Sequence, residues 1–414
     1  MPSFKNIVAA AAAIAAVNAV PTTPPTPLIP PQDVPVNQFT NDAANGAPFL
    51  NNLAQQAGKL WFGTAADIPG PEQQDLEYMT ILNDTRIFGA ITPANYMKWQ
   101  YTEPQRNNFS YTGGDVVINV AEDHGKYVRC HNLCWDNQNP EWLTTLVANG
   151  VSNKTMISIL QNHITNLIEH WGGRCYSWDV VNEALNGTGG WDAANPFYQV
   201  IGPAFFPIAF EAAEKAVKKT KADIKLYYND YGIEAGGPRA AGAVNAIRSL
   251  KQAGIQVDGV GFESHFEVGG TPSTAALVQQ MNAFIALDVD IVMTELDIRF
   301  VNASAANAGG YAQQATDYYS AVSACMQVDR CIAMTVWDFD DKYSYVFDVP
   351  SLNSSANMIV LVGSHLHSPA RASLTCTLPT SPATPLTRLW PTRSTTSPAA
   401  SLARVPSTLS LKWK

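Results

Sequence analysis

Eight short apolar runs, separated by helical or loop stretches, constrain the fold of this chain more than any other feature of its sequence. Most are rich in β-branched and aromatic residues, as expected for parallel strands buried on both faces. The runs are Lys59–Gly63, Ile87–Thr92, Tyr127–Trp135, Cys175–Asn182, Ile224–Asn229, Val257–Phe262, Ile291–Glu295 and Ile332–Trp337. Stretches between them, such as Val151–His170, repeat apolar residues at helical spacing. The alternation predicts an α/β fold, a (β/α)8 TIM barrel, with a doubly wound open sheet as the alternative.

The two ends of the chain depart from this alternation. Residues 1–19 resemble an export signal, because Lys5 precedes a short apolar run that ends in a small-residue pattern. Residues 20–45 are rich in Pro and Thr and are predicted to form an arm or linker. The barrel domain is predicted to cover residues 46–348. Residues 349–414 show neither helical nor strand period, so we expect a disordered tail and an atypical end to the barrel, without a clear eighth helix.

Composition narrows the class of partner. Charged residues make up only 15% of the chain and the net charge is −9, which argues against nucleic acid or an anionic membrane. A neutral polymer is the partner that this composition favours. Export into an oxidising compartment makes the six cysteines disulfide candidates. Acceptor triplets for N-glycosylation begin at Asn83, Asn108, Asn153, Asn186, Asn302 and Asn353.

Two glutamates each close a predicted strand. Glu183 follows the fourth run and Glu295 ends the seventh. Side chains at the C-terminal ends of barrel strands converge on one mouth, where barrel enzymes carry out their chemistry. A glycosidase needs one carboxyl that holds a proton for the leaving oxygen and one that is ionised to attack the anomeric carbon. With Asn182 and His265 nearby, the pair predicts a glycosidase site. The alternative for either glutamate is a strand cap or a pairing with an arginine.

Other polar and aromatic residues also lie near strand ends. His131 falls in the third run and His265 follows the sixth, and these positions favour a role in the site. Aromatic rings there suit a sugar, because pyranose faces are apolar and stack on flat rings. The rings are those of Trp99, Trp135, Trp337 and Tyr345. Cys130, His131 and Cys134 match no zinc spacing, and the sequence has no glycine-rich phosphate loop, so we expect neither metal nor cofactor.

Four motifs in order give a resemblance to a known family. They are Trp-Asp-Val-Val-Asn-Glu-Ala at 178–184, Leu-Tyr-Tyr-Asn-Asp-Tyr at 226–231, Thr-Glu-Leu-Asp-Ile at 294–298 and Thr-Val-Trp-Asp-Phe-Asp-Asp at 335–341. From about Phe62 to Tyr345 the chain resembles glycoside hydrolase family 10, the endo-β-1,4-xylanases. The resemblance implies a secreted, monomeric, retaining endo-xylanase that acts on xylan without metal or organic cofactor. The alternatives are a catalytically impaired carbohydrate-binding barrel and another β-glycanase, such as a cellulase.

The resemblance also implies a role for each site residue. Glu183 looks like the acid/base and Glu295 like the nucleophile. His265 would hydrogen-bond the nucleophile, Asp297 would support it, and Asn182 would hold the sugar 2-hydroxyl. The other implied substrate-binding positions are Asn95, Lys98, His131, Trp135, Tyr231, Glu263, Trp337 and Tyr345.

The sequence departs from the family pattern at several positions. Glu263 replaces a common glutamine, and a third acid there is expected to raise the pKa of the nucleophile or shift the pH optimum downward. Ala94, Asp136 and Tyr345 stand where Glu, His and Trp are usual, and nothing after about Val346 resembles the family's end.

Two disulfides are predicted. Cys325 and Cys331 close a small loop before the eighth strand, as in many fungal relatives of this family. Cys130 and Cys175 lie on the adjacent third and fourth strands. Cys134 and Cys376 are left unpaired.

Overall fold

The computed structural model describes residues 49–344. The predicted export signal, the arm, the tail at 349–414 with Cys376, Tyr345 and the position of an eighth helix lie outside the described residues. No helix in the described part is long and apolar enough to cross a membrane.

Nine parallel strands lie within residues 49–344, and eight of them close into a barrel. Hydrogen bonds follow the order β6-β5-β4-β3-β2-β1-β9-β8, and pairing of β6 with β8 closes the ring. The strands are β1 Trp61–Ala66, β2 Ala90–Pro93, β3 Tyr127–Cys130, β4 Ser177–Asn182, β5 Lys225–Asp230, β6 Gly259–Phe262, β7 His265–Glu267, β8 Asp290–Arg299 and β9 Cys331–Val336. Each predicted run overlaps one barrel strand. The (β/α)8 prediction is confirmed, and the open sheet is wrong.

Helices lie between successive barrel strands along the chain, and the first helix precedes β1. They are α1 Leu50–Gln56, α2 Leu76–Asn83, α3 Trp99–Thr102, α4 Thr112–Asp123, α5 Glu141–Ala148, α6 Asn153–Trp171, α7 Pro196–Ile201, α8 Phe205–Thr220, α9 Pro238–Ala253, α10 Thr274–Ile285 and α11 Ala308–Gln327. Helix α6 begins where Ser152 caps it by accepting a hydrogen bond from the Thr155 backbone N–H. Its apolar stripe, which includes Leu160 and Ile164, is fully buried.

The interior of the barrel is apolar near the starts of the strands and polar near their ends. Trp61, Tyr227 and Val292 form a small buried cluster near the starts of β1, β5 and β8. Asn182 and Asp230, the last residues of β4 and β5, are also buried. The change from apolar to polar side chains along the strands therefore places a polar site at the C-terminal mouth.

Strand register aligns the polar residues of this mouth. Asn182 of β4 pairs with Asn229 of β5, and Asn229 pairs with Gly261 of β6. A β-carbon on Gly261 would lie 2.1 Å from Asn229 Oδ1, so only glycine leaves room for that amide. The short strand β7 pairs with the end of β8 and sets His265 opposite Asp297.

Both predicted disulfides are confirmed. Cys130 at the end of β3 bonds to Cys175, just before β4, with 5.7 Å between the two Cα atoms. Cys325 in α11 bonds to Cys331 at the start of β9, with 5.2 Å between the Cα atoms. Cys134 is free and buried, as predicted.

We expect the longer disulfide to contribute more to stability. Cys130 and Cys175 are separated by 45 positions. A disulfide that closes such a loop in the unfolded chain stabilises the folded protein by about 4 kcal/mol, through the entropy that the unfolded chain loses. For the separation of six positions between Cys325 and Cys331, the same effect is about 2 kcal/mol. The double variant Cys130→Ala/Cys175→Ala should therefore lose more free energy of unfolding than Cys325→Ala/Cys331→Ala. Urea denaturation of both variants would measure this, and equal losses would contradict the loop-entropy argument.

Candidate active site

Two predicted carboxyls lie at the mouth of the barrel. Glu183 directly follows β4, and Glu295 lies in the middle of β8. Glu183 has a φ angle of 51°, which is uncommon for a residue with a β-carbon. Strained backbone of this kind is found preferentially at functional sites. Six other described non-glycine residues also have a positive φ, so the conformation of Glu183 supports a functional role only together with its position at the mouth.

Two asparagines connect the two glutamates. Asn182 Nδ2 donates to Glu183 Oε1 at 3.0 Å. Asn229 Nδ2 lies 2.8 Å from Asn182 Oδ1 and 3.0 Å from Glu295 Oε1. Thr294 Oγ1 donates to Asn229 Oδ1 at 2.7 Å, which fixes the orientation of the amide. The two asparagines therefore link Glu183 to Glu295 through hydrogen bonds.

Cations surround Glu295. Arg129 Nη2 lies 2.9 Å from its Oε1, and His265 Nε2 lies 3.3 Å from its Oε2. Burial works to raise the pKa of Glu295, but the bond from His265 and the charge of Arg129 lower it well below the usual value. Glu295 is therefore a carboxylate at ordinary pH.

Glu183 has the opposite environment. Burial and the negative charge of Glu295 raise the pKa of Glu183 to about 7, and the charges of Asp230 and Asp136 act in the same direction. One buried glutamate is thus ionised and the other holds its proton below neutral pH. Carboxyls that differ in this way can divide nucleophile and acid roles between them.

A second layer of carboxylates holds the cations in place. Asp179 Oδ2 lies 2.6 Å from Arg129 Nη2 and 2.8 Å from His131 Nδ1. Asp297 Oδ2 lies 2.8 Å from His265 Nδ1. Burial lowers the pKa of His265, but the neighbouring carboxylates raise it well above its usual value. Asp297 thus supports the residue that contacts Glu295, as the resemblance implies.

Aromatic rings and a buried lysine form one wall of the mouth. The Trp337 ring lies 5.5 Å from the His131 ring, measured between centroids, and Trp135 lies 6.4 Å from His131. Lys98 Nζ lies 4.8 Å from the centroid of the Trp135 ring and 5.9 Å from that of Trp337. Lys98 also contacts Asn95 Oδ1 at 3.4 Å. The structure brings these five predicted site residues together.

Two other aromatic residues predicted near the sugar, Tyr231 and Trp99, lie in different surroundings. Tyr231 lies after β5 with 43% of its surface exposed, and the Arg239 guanidinium stacks on its ring at 3.7 Å. Trp99 was expected at the sugar site, and this expectation is wrong. Trp99 is 3% exposed, because it packs inside the core against the His163 ring at 3.6 Å and donates to Glu103.

Comparison with known proteins agrees with this geometry. Residues 49–361 match the family described as Glycosyl hydrolase family 10. The chain belongs to this family. It is 46% identical to endo-1,4-beta-xylanase D of Talaromyces funiculosus over 299 residues, which are 72% of this chain and 70% of that protein. It is 44% identical to endo-1,4-beta-xylanase A of Phanerodontia chrysosporium, over 73% of this chain and 71% of that protein.

A solved family 10 structure has the same fold. The GH10 xylanase from Bispora sp. MEY-1, solved with xylobiose, superposes with a TM-score of 0.70 at 47% identity. The match covers 75% of this chain and 95% of that chain. As a member of glycosyl hydrolase family 10, this protein is a glycoside hydrolase, which confirms the family predicted from the four motifs.

Glu263 is one of three residues of this family 10 site that present metal-binding atom types close together. Atoms of Glu263, His265 and Glu295 lie within 4.8 Å of one another. We assign none of them to a metal, because each bonds a protein group: Glu263 accepts from Asn229, and His265 bonds Asp297. The absence of a metal or cofactor remains a prediction.

Three residues of this family 10 site were not predicted from the sequence: Arg129, Asp179 and Asn229. All three are buried in barrel strands. A charged residue inside a buried strand rarely occurs without a partner, so Arg129 in the third run was a usable signal. Asp179 and Asn229 lie inside two of the quoted motifs, where their polarity interrupts apolar runs.

Replacing Arg129 should destabilise the protein strongly, because it removes the cation that two buried carboxylates share. Arg129→Leu leaves Asp179 and Glu295 buried without their cation, so the free energy of unfolding should fall by about 3–5 kcal/mol. Arg330→Leu is the matched control, because Arg330 also bonds two carboxylates, at 2.8 Å and 2.7 Å, but on the surface. That variant should lose about 1 kcal/mol or less. If urea denaturation gave similar losses of unfolding free energy for Arg129→Leu and Arg330→Leu, burial of the Arg129 ion pairs would not add to the cost of removing the arginine.

Proposed function

We propose that this glycoside hydrolase is a secreted endo-β-1,4-xylanase that cleaves internal xylan linkages with retention of configuration. The observation that carries the proposal is the contrast between two glutamates at one mouth, the buried Glu295 among cations and the half-buried Glu183 among acids. Relatives at 46% and 44% identity are named endo-1,4-beta-xylanases, and two neighbouring structures contain xylobiose.

In the first step, Glu295 acts as the nucleophile. Its carboxylate oxygen forms a bond to the anomeric carbon while the bond from that carbon to the leaving oxygen breaks. Glu183 gives its proton to the leaving oxygen, so the departing sugar carries a new hydroxyl. Retention requires the two carboxyls to be about 5–5.5 Å apart. The products are a glycosyl ester on Glu295 and an ionised Glu183.

In the second step, Glu183 acts as a base. It takes a proton from water as the water oxygen attacks the anomeric carbon, and the bond to Glu295 breaks. Glu295 leaves as a carboxylate and Glu183 is again protonated. The bond from Asn182 and the bonds from Arg129 and His265 hold both carboxyls in place through the cycle.

The wall of the mouth would bind the sugar chain. We assign Asn182 to the sugar 2-hydroxyl, since its amide lies between the two carboxyls. His131 and Trp135 would flank the sugar at the cleavage point and Trp337 would cover it, while Asn95 and Lys98 contact hydroxyls further along. Xylose lacks the hydroxymethyl group of glucose, so a close Trp337 ring would favour xylan by about 1–3 kcal/mol.

Export is part of the proposal. It is supported by the signal-like residues 1–19 and by two disulfides, which persist in oxidising compartments. Among the acceptor triplets, Asn108, Asn153 and Asn302 are exposed, whereas Asn83 and Asn186 are half-buried and Asn353 lies outside the described residues. Glycans are therefore proposed at the three exposed positions.

Hydrolysis of xylan by the purified protein tests the assignment. We expect proton NMR to show β-anomers as first products, because two displacements at one carbon restore its configuration. Glu295→Ala should abolish hydrolysis, and Glu183→Gln should lower kcat about 10²–10⁴-fold on xylan, because it removes the acid. Glu211→Gln is the control, because it makes the same substitution as Glu183→Gln at an exposed position on α8, away from the mouth.

Three results would contradict the proposal in different ways. First products with the α-configuration would exclude retention. Faster hydrolysis of carboxymethyl-cellulose than of xylan would make the protein a cellulase. A folded protein that binds xylan but releases no sugar would be the impaired binding barrel that the sequence analysis kept as an alternative.

The pH dependence of xylan hydrolysis should have a basic limb near neutrality. Glu183 must be protonated to act as the acid, and its pKa is raised to about 7. The value of kcat/KM should therefore fall as pH rises through about 7. On the acidic side Glu295 stays ionised, because its pKa is well below the usual value. Initial rates on xylo-oligosaccharides across this range give the profile. If the residual activity of Glu183→Gln kept the same basic limb, another group would be responsible for it.

A further inference from the structure

Three cations and three carboxylates balance one another around the mouth. Arg129 bonds Asp179 and Glu295, and His265 bonds Asp297 and Glu295. Lys98, which is 6% exposed, is the third cation, and the acids that face it are Glu295, Glu183, Asp67 and Glu263. Two further carboxyls, the half-buried Glu183 and the buried Glu263, exceed this set. An ionised carboxyl buried in excess of its cations is costly, so both favour the protonated form.

Glu263 is more deeply buried than Glu183, and its hydrogen-bond donor, Asn229, also contacts two other acceptors. It is 2% exposed and directly follows β6. Asn229 Nδ2 lies within 3.0 Å of Glu263 Oε1, Glu295 Oε1 and Asn182 Oδ1. An amide nitrogen carries two hydrogens, so it cannot fully serve three acceptors. Asn229 therefore gives Glu263 at most a shared hydrogen bond.

Charged groups from five neighbouring segments face Glu263. His265 Nε2 is the nearest cation, 3.7 Å from Glu263 Oε2, but it lies closer to Glu295, at 3.3 Å. The acids are Glu183 after β4, Asp230 of β5 and Glu295 of β8, and Lys98 after β2 is the second cation. Burial and the charges of Glu183 and Glu295 raise the pKa of Glu263 well above its usual value, and His265 only partly opposes them.

We propose that Glu263 is a positioning residue that remains a neutral carboxylic acid through the reaction and takes the place of an amide beside Glu295. The catalytic part of this proposal rests on the proposed retaining mechanism. In the resting site Glu295 is ionised and Glu183 holds its proton. In the glycosyl-enzyme Glu295 is an uncharged ester and Glu183 is ionised instead. With Glu263 neutral, the negative charge only moves from one glutamate to the other, and Glu263 adds no further buried anion in either state.

The pH dependence of stability tests the protonation state without any substrate. A folded chain that keeps a proton on Glu263, which the unfolded chain releases above about pH 4.3, loses stability as pH rises. Glu263→Gln removes this loss. The unfolding constant of the wild type, divided by that of Glu263→Gln, should therefore rise by up to about tenfold per pH unit from about pH 4.5 upward. Equilibrium denaturation at several pH values measures the ratio, and Glu211→Gln controls for the chemistry of the change.

Two outcomes of this experiment would overturn the proposal. A ratio that stays constant or falls with pH means that Glu263 is ionised in the folded protein, through its contact with His265. A Glu263→Gln protein that does not fold contradicts it too, since an amide of the same shape replaces a neutral acid without leaving a charge unpaired. Neither result depends on xylanase activity, so a failure of the proposed function would be recognised separately.

Kinetics of two substitutions test the positioning role. Glu263→Gln keeps a hydrogen-bonding group of the same shape, whereas Glu263→Leu removes it. We expect kcat of the glutamine variant to exceed that of the leucine variant by at least about tenfold, as for loss of one hydrogen bond next to a buried charge. Equal losses would show that the acid itself, and not its shape and hydrogen bonding, is required, and would overturn the proposal.

Discussion

Arg129 reaches from β3 across the interior of the barrel to Glu295 on β8, and the same guanidinium bonds Asp179 on β4. Strands β3 and β8 lie on opposite sides of the closed ring, since four steps separate them in either direction. Without the cation between them, two buried carboxylates would be left as unpaired charges, which is costly. Glu295 is therefore charged and fixed in position before any substrate arrives. This preorganisation is what electrostatic catalysis requires.

The arrangement of the other side chains at the mouth follows from the hydrogen-bond register of the strands. Register places Asn182, Asn229 and Gly261 side by side on three successive strands, and β7 sets His265 opposite Asp297. The side chains that hold the two glutamates therefore come from strands, whose positions are fixed by hydrogen bonds along their length. Sites built on regular elements are held more rigidly than sites built on loops.

The two glutamates differ because their neighbours differ. His265 and Arg129 lower the pKa of Glu295, while Glu183 faces Glu295, Asp230 and Asp136. Burial raises the pKa of both carboxyls, so burial alone would leave them alike. The asymmetry comes from the placement of the cations on one side of the mouth, and it supports opposite roles for the two residues.

Sequence periodicity by itself determined the barrel strands, the two glutamates that these strands bring to the mouth and the pairing of Cys130 with Cys175. It could do so because each of these depends on burial along one strand or on the contact of neighbouring strands. The ion pair between Arg129 and Glu295, the sharing of Asn229 by three acceptors and the burial of Trp99 in the core were decided only by the tertiary structure. These contacts join residues far apart in the chain. They exist because closure of the ring, to which all eight strands contribute, fixes the distance and register between opposite strands.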